Sequence, residues 1–324
     1  MSRSVVITGA GGFIGSSLCQ YFSRRGYTVH GWAHTLTPDL KQALADCTIQ
    51  QVDILTKPLP LLGAPVDAVI HTAKANEITS RDAGRGLMLS VLGTKNILEW
   101  AVANHAGKVI ALSTFRVYGE SLCGTISEES SLGPSSDYAL AHLFSEQYME
   151  MYARRNDVGC VALRIGNVFG RFAVPSVDRW SLVPACFCRE AFMSGRITLK
   201  SSGRQFRNFV SLEDVGLACE AICNDHQHKF SAINVSSGPI CRIVSVAKIV
   251  QEIFSSRYGT LIPIVFESHN PVTASPFSVS QEKLEAVGFV KDRTQTLQSE
   301  IEALFDELQR VKLSDSPGRL KICN

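Results

Sequence analysis

Ser4-Val5-Val6-Ile7-Thr8-Gly9-Ala10-Gly11-Gly12-Phe13-Ile14-Gly15-Ser16 is the stretch whose reading decides the fold. Its first five residues are rich in β-branched side chains and suit a buried parallel strand. Gly9, Gly12 and Gly15 then fall at three-residue intervals into an apolar helix start. A strand that ends in a glycine turn and feeds a helix turns backbone N–H groups and the positive end of a dipole toward a diphosphate. Glycine is needed there because a Cβ would keep the ligand off the backbone. The strand–turn–helix setting, with the strand and helix rhythm that follows it, reads as a dinucleotide site rather than a plain tight turn.

Outward from that turn, Phe13 to Arg25 carries apolar residues at Phe13, Ile14, Leu18, Tyr21 and Phe22, a helical stripe closed by Gly26. Strands are expected at Thr28–Ala33, Thr48–Val52, Val66–His71, Lys108–Ser113 and Val158–Leu163, with helices at Gly86–His105 and Tyr138–Arg155. That alternation implies a parallel sheet covered on both faces. From Phe172 the segments become shorter: helices at 184–194, 213–223, 243–255, 280–287 and 296–308, and extended pieces at 197–200 and 208–211. The expected fold is α/β, a Rossmann-type doubly wound parallel sheet with a smaller C-terminal α/β lobe. Residues 1–171 would form the dinucleotide-binding domain, 172–313 mainly the substrate-binding lobe, and 314–324 a tail.

With 324 residues the chain can bury a full core, and a net charge of +2 with both signs scattered offers no basic stripe for nucleic acid. No apolar run reaches the ~18 residues of a membrane span, and Met1-Ser2-Arg3 leads straight into the first strand, so a cytoplasmic protein without a leader is expected. The ten cysteines are thinly spread and lie mostly in apolar segments, which favours reduced thiols over a disulfide framework, and no pair has metal-ligand spacing.

The second strand ends at Ala33 and His34, where dinucleotide folds often place an acid that accepts from the adenosine ribose. Without that carboxylate a ribose 2′-phosphate is not repelled; His34 could help to bind it, or be a surface loop residue. NAD and NADP both stay open. Asp53-Ile54 could meet the adenine edge, and the small residues of Thr72-Ala73-Lys74-Ala75 would let a cofactor lie against backbone, with Lys74 at the mouth.

The motifs continue in order: TGAGGFIG at Thr8–Gly15, Asp53-Ile54, HTAK at His71–Lys74, GTKNIL at Gly93–Leu98, STFRVYG at Ser113–Gly119, Tyr138, LRIGNVFG at Leu163–Gly170, RNFVSLEDV at Arg207–Val215 and NVSSG at Asn234–Gly238. Together they resemble the extended short-chain dehydrogenases/reductases of the NAD-dependent epimerase/dehydratase family, which mostly act on nucleotide-linked sugars. The resemblance implies an NAD or NADP site at Gly9, Gly12, Phe13, Ile14, Gly15, His34, Asp53, Ile54, Thr72, Ala73, Lys74 and Ser113, with Tyr138 and His142 at the nicotinamide end. It implies catalysis by Thr114, Tyr138 and His142, and a nucleotide-sugar substrate held by Lys74, Thr114, Asn167, Val183 and Arg207. A homodimer through helices 86–105 and 138–155 is implied by analogy.

Three departures matter. The family places a lysine four residues after the tyrosine, where it binds the nicotinamide ribose and lends charge to the phenol. Here that position is His142, which lies on the same helix face but is mostly neutral at pH 7. The readings are a working enzyme using His142, one in which Lys74 supplies the ammonium, or a binder that has lost catalysis. Ser90 stands where an asparagine usually braces the tyrosine's helix. Sugar 4,6-dehydratases carry Asp-Glu after the threonine, whereas this chain has Phe115-Arg116, so epimerisation or ketone/alcohol redox is expected instead, unless Glu120 or Glu128 serves as the acid. Arg207 suits a diphosphate through its paired donors; a surface salt bridge to Glu213 or Asp214 is its structural alternative. Trp180, Leu182 and Val183-Pro184 could grip a nucleotide base or be plain core. A reductase of a non-nucleotide carbonyl compound would share all of these features except the diphosphate contacts.

Overall fold

The computed structural model describes residues 3–225, 229–268, 275–291 and 294–314. Its strands are β1 (Ser4–Thr8), β2 (Thr28–Ala33), β3 (Thr48–Gln51), β4 (Ala68–His71), β5 (Lys108–Thr114), β6 (Gly124–Ile126), β7 (Gly159–Ile165), β8 (Asn167–Phe169), β9 (Ile197–Leu199), β10 (Phe206–Ser211), β11 (Phe230–Val235), β12 (Ile240–Arg242), β13 (Ile264–Phe266) and β14 (Phe277–Val279). The helices are α1 (Phe13–Arg24), α2 (Pro38–Ala43), α3 (Ala83–Leu87), α4 (Gly93–Ala103), α5 (Asp137–Arg155), α6 (Ala185–Ser194), α7 (Leu212–Asn224), α8 (Ile243–Tyr258), α9 (Glu282–Ala286) and α10 (Leu297–Ser314). One π turn, Met88–Leu92, joins α3 to α4.

Seven strands form one parallel sheet in the order β11-β7-β5-β4-β1-β2-β3. Alternation along β1 shows why it is covered twice: Val5 and Ile7 pack with Leu18 and Phe22 of α1 and Val215 of α7, whereas Val6 packs with Ile97 and Leu98 of α4 and Met149 of α5. β1 lies between β2 and β4, so the strand order reverses beside the glycine turn, and a crevice opens at the C-terminal ends of the strands.

The smaller lobe consists of the β12-β10-β8 sheet, the β13-β9 pair and helices α6, α8 and α10, packed around Phe209, Val250 and Phe305. Two segments of the 172–313 portion return to the large sheet: β11 pairs in parallel with β7, and α7 packs on β5 and α1. The sequence pattern predicts no strand at 230–235, because Phe230-Ser231-Ala232-Ile233-Asn234-Val235 alternates weakly and gains its burial only as the edge of an already formed sheet. α10 extends through Ser314, and the rest of the expected tail, 315–324, lies outside the described residues.

α5 is fastened to this sheet by buried charge. Glu146 on α5 pairs with Arg164 on β7 at 2.7 Å, and Ser113 on β5 donates to the same carboxylate. Arg164 also donates to the Tyr118 hydroxyl at 2.9 Å, which in turn donates to Asn234 on β11 at 2.7 Å. Burial opposes the guanidinium's charge, but the Glu146 carboxylate more than compensates, leaving its pKa raised. Arg164→Met should therefore destabilise the protein by about 3–5 kcal/mol, because it strands a buried carboxylate. Denaturant unfolding of the variant checks this, and a loss below ~1 kcal/mol would contradict it.

Candidate active site

The glycine turn is sterically closed to larger residues. Gly9 has φ +73°, Gly12 N–H donates to the Gly9 carbonyl at 2.8 Å, and a Cβ on Gly15 would lie 2.1 Å from that same oxygen. No side chain caps α1, so its first N–H groups are left for a ligand. Across the crevice Thr72 Oγ1 donates to the Thr8 carbonyl at 2.7 Å. Buried His71 joins Thr8 Oγ1 at 2.7 Å to Thr94 Oγ1 at 3.1 Å, so it ties β1, β4 and α4 together.

From this turn a cavity of about 1410 Å³ runs to the smaller lobe. Gly9, Gly12, Phe13, Ile14, Gly15, His34, Asp53, Ile54, Thr72, Ala73 and Lys74 line the coenzyme side, Thr114 and Tyr138 its wall, and Asn167 and Arg207 the lobe side. Asp53 also accepts from Leu55 N–H at 2.9 Å and so shapes its own loop. Asn167 Nδ2 donates to the Asn208 carbonyl at 3.0 Å. Arg207 has no ion pair among the described residues, so the salt-bridge alternative with Glu213 or Asp214 does not hold. Burial first, and then the nearby Arg116 charge, lowers its pKa.

Tyr138 stands in the first turn of α5, whose N-cap is Ser136. Burial pushes its phenol up; the neighbouring Thr114 hydroxyl opposes this, Glu77 adds to the rise, and Arg116 and Arg179 pull it down. Arg116 and Glu77 form an ion pair of 2.8 Å in the cavity wall. Sequence reasoning missed Glu77 and Arg179, since both sit in loops with no periodic pattern, and it noted Arg116 only for the carboxylate it replaces.

Three expected site residues lie elsewhere. His142 is 5 % exposed and absent from the cavity lining; its ring packs edge-on to Tyr138 with centroids 4.7 Å apart. Burial and then the Lys74 charge hold it well below its usual pKa, hence neutral. The imidazole packs against the phenol ring instead of lining the cavity. Ser113 is buried and spends its hydroxyl on Glu146, because alternation along β5 turns it toward α5 and Thr114 toward the cavity. Val183 packs against the core of the smaller lobe together with Trp180, while Leu182 between them lines the cavity.

Lys74 lines the cavity, yet its Nζ is buried without a hydrogen bond, and burial lowers its pKa to about 8 against an opposing pull from Glu146. Ser90 braces its surroundings by other atoms than an asparagine amide: its hydroxyl accepts from Ala75 N–H at 3.1 Å, and its carbonyl, within the π turn, accepts from Ser145 on α5 at 2.8 Å. Of the alternative acids, Glu120 lines the cavity, and Glu128 accepts from Asn234 N–H at 2.8 Å, away from it.

The NAD dependent epimerase/dehydratase family model matches residues 5–236. The chain belongs to that family. It is 24% identical over 271 residues to YtcB of Bacillus subtilis (strain 168), described as an uncharacterized UDP-glucose epimerase, covering 79% of this chain and 84% of the relative. It is 26% identical over 235 residues to a dTDP-glucose 4,6-dehydratase of Streptomyces antibioticus, with 68% of each chain covered. Family likeness therefore does not exclude dehydration. Among solved structures, UDP-glucuronic acid 4-epimerase from Bacillus cereus in complex with NAD superimposes with TM-score 0.81 at 22% identity, over 97% of this chain and 99% of that one. Among the described residues no group of three His, Cys, Asp or Glu could hold a metal ion, and no helix is long and apolar enough to cross a membrane.

Gly15→Ala tests the cradle. With a Cβ forced against the Gly9 carbonyl, NAD affinity by titration calorimetry is expected to fall by about tenfold or more, with circular dichroism unchanged.

Proposed function

We propose that this protein is an epimerase or ketoreductase of a nucleotide-linked sugar, working through bound NAD(H) or NADP(H) with Tyr138 as its acid/base. The observation that carries the reading is that Thr114 and Tyr138 line the same cavity as the glycine cradle, Arg207 and Asn167. The cradle fits a dinucleotide because a Cβ would fill it, and β2 ends without a carboxylate, at buried Ala33 and exposed His34, so a 2′-phosphate is accommodated as readily as a hydroxyl.

When bound, the nicotinamide supplies the capacity to accept and return a hydride. Thr114 holds the substrate oxygen, and Tyr138 takes its proton and later gives it back. Arg116 and Arg179 favour the phenolate, and Arg207 with Asn167 holds the substrate diphosphate. The proposed chemistry is hydride transfer without elimination. Phe115 is buried in an apolar cluster with Tyr118, and Arg116 is paired with Glu77, so neither residue after Thr114 is an acid. The relatives named as UDP-sugar epimerases support a uridine nucleotide. The opposing reading, a cofactor binder without turnover, draws on the neutral His142.

Tyr138→Phe should lower kcat on the responsive UDP- or dTDP-sugar by about 10²–10⁴ while leaving coenzyme affinity intact. Arg207→Ala should raise KM by about tenfold or more; an unchanged KM would favour a carbonyl substrate without a diphosphate. Coenzyme binding with no turnover of any sugar nucleotide would favour the binder.

We also propose a homodimer through the α3–α4 helix and α5, where Leu87, Met88, Leu92 and Phe144 are exposed. Light scattering should give twice the chain mass, and Leu92→Glu with Phe144→Glu should halve it.

A further inference from the structure

A tyrosine acting as a base near neutral pH needs positive charge nearby, and α5 does not provide it one turn on, since His142 is neutral. We propose that Lys74 is the ammonium of this active site, delivered from the loop after β4, where it binds the coenzyme ribose and favours the Tyr138 phenolate. The inference rests on the reading of the site as a dinucleotide-dependent one.

The loop that carries Lys74 is fixed on both sides. Lys74 N–H donates to the Thr72 carbonyl at 2.8 Å, Thr72 Oγ1 is tied to β1, and Ala75 N–H donates to Ser90 Oγ. The stem lies in the cavity wall alongside Ala73 and Thr72. The titratable groups facing the ammonium are His71 from β4 and His142 and Glu146 from α5, with Arg164 of β7 beyond Glu146. Neither histidine adds a competing positive charge, as both are held neutral. Glu146 pulls from a distance but is already occupied by Arg164 and Ser113.

The Lys74 Nζ is thus a buried donor with no acceptor. Such a group weakens the fold that holds it, and an unpaired amine on a residue that lines a ligand cavity is the mark of a functional group. The acceptors it lacks are of the kind that vicinal ribose hydroxyls supply. Its charge acts on His142, whose ring touches that of Tyr138, so the ammonium lies beside the same face of α5. Lys74 is cationic below about 8 and loses its charge as pH rises through that value; coenzyme binding, by adding acceptors, moves the transition upward.

The test measures NAD affinity by calorimetry and the kcat–pH profile, from pH 6.5 to 9.5, for wild type, Lys74→Met, Lys74→Arg and the double variant Lys74→Met/His142→Lys. Wild type should bind NAD more weakly and turn over more slowly as pH rises past its upper limb. Lys74→Met should weaken NAD binding by about tenfold and abolish that limb, while melting no lower than wild type, because it removes an uncompensated buried charge. Lys74→Arg should shift the limb out of range. The double variant, with its cation moved onto α5, should recover at least half of the lost affinity and activity. Unchanged NAD affinity and pH dependence in Lys74→Met, or no recovery in the double variant, would overturn the proposal. Because the binding arm needs no sugar, its failure is separable from failure of the substrate reading, which would show as normal NAD binding without turnover.

Discussion

The ion pair between Glu146 and Arg164 is the constraint on which the active-site geometry depends. Tyr138 sits at the N-terminal end of α5, and the proton exchange proposed for it would tolerate little movement of its hydroxyl. Helix packing alone would leave α5 free to slide along an apolar sheet face. A carboxylate two turns on, gripped by a guanidinium from β7 and a serine hydroxyl from β5, removes that freedom. The pair is at most 4 % exposed, so its value comes from fixed direction more than from net energy.

The same network explains why several motifs lie far apart in the chain. Tyr118, Arg164 and Asn234 belong to three separate sequence runs, and all three end in one chain of hydrogen bonds from β7 to β11. That chain ties the returning segment of the C-terminal half to the sheet built by the N-terminal half. Its consequence for function is indirect: with α7 and β11 held on the large sheet, β8 and β10 emerge beside the crevice and carry Asn167 and Arg207 to its rim.

Charge is distributed around the phenol in an unusual way for a helix-borne tyrosine. The helix itself contributes a neutral imidazole, whereas the cations that pull on the phenol, Arg116 and Arg179, come from elsewhere in the chain. Glu77 balances Arg116 across the cavity wall. Tyr138 therefore reads its electrostatic surroundings from tertiary neighbours rather than from its own helix, and burial makes each of those charges count for more than it would in water.

What the sequence by itself determined was whatever is written in local spacing: the β1–turn–α1 cradle at Gly9, Gly12 and Gly15, the helical run of Tyr138, and the adjacency of Thr114 to the strand end. Local spacing works there because the backbone's own dihedral and hydrogen-bonding limits act within a few residues. Only the tertiary structure decided where side chains point. One helical turn put His142 under Tyr138 rather than in the cavity, strand alternation spent Ser113 on Glu146, and a fixed loop drew Lys74 to the side of α5. Burial and charge at those positions are set by residues scores of places away along the chain, and no periodicity in the sequence records that.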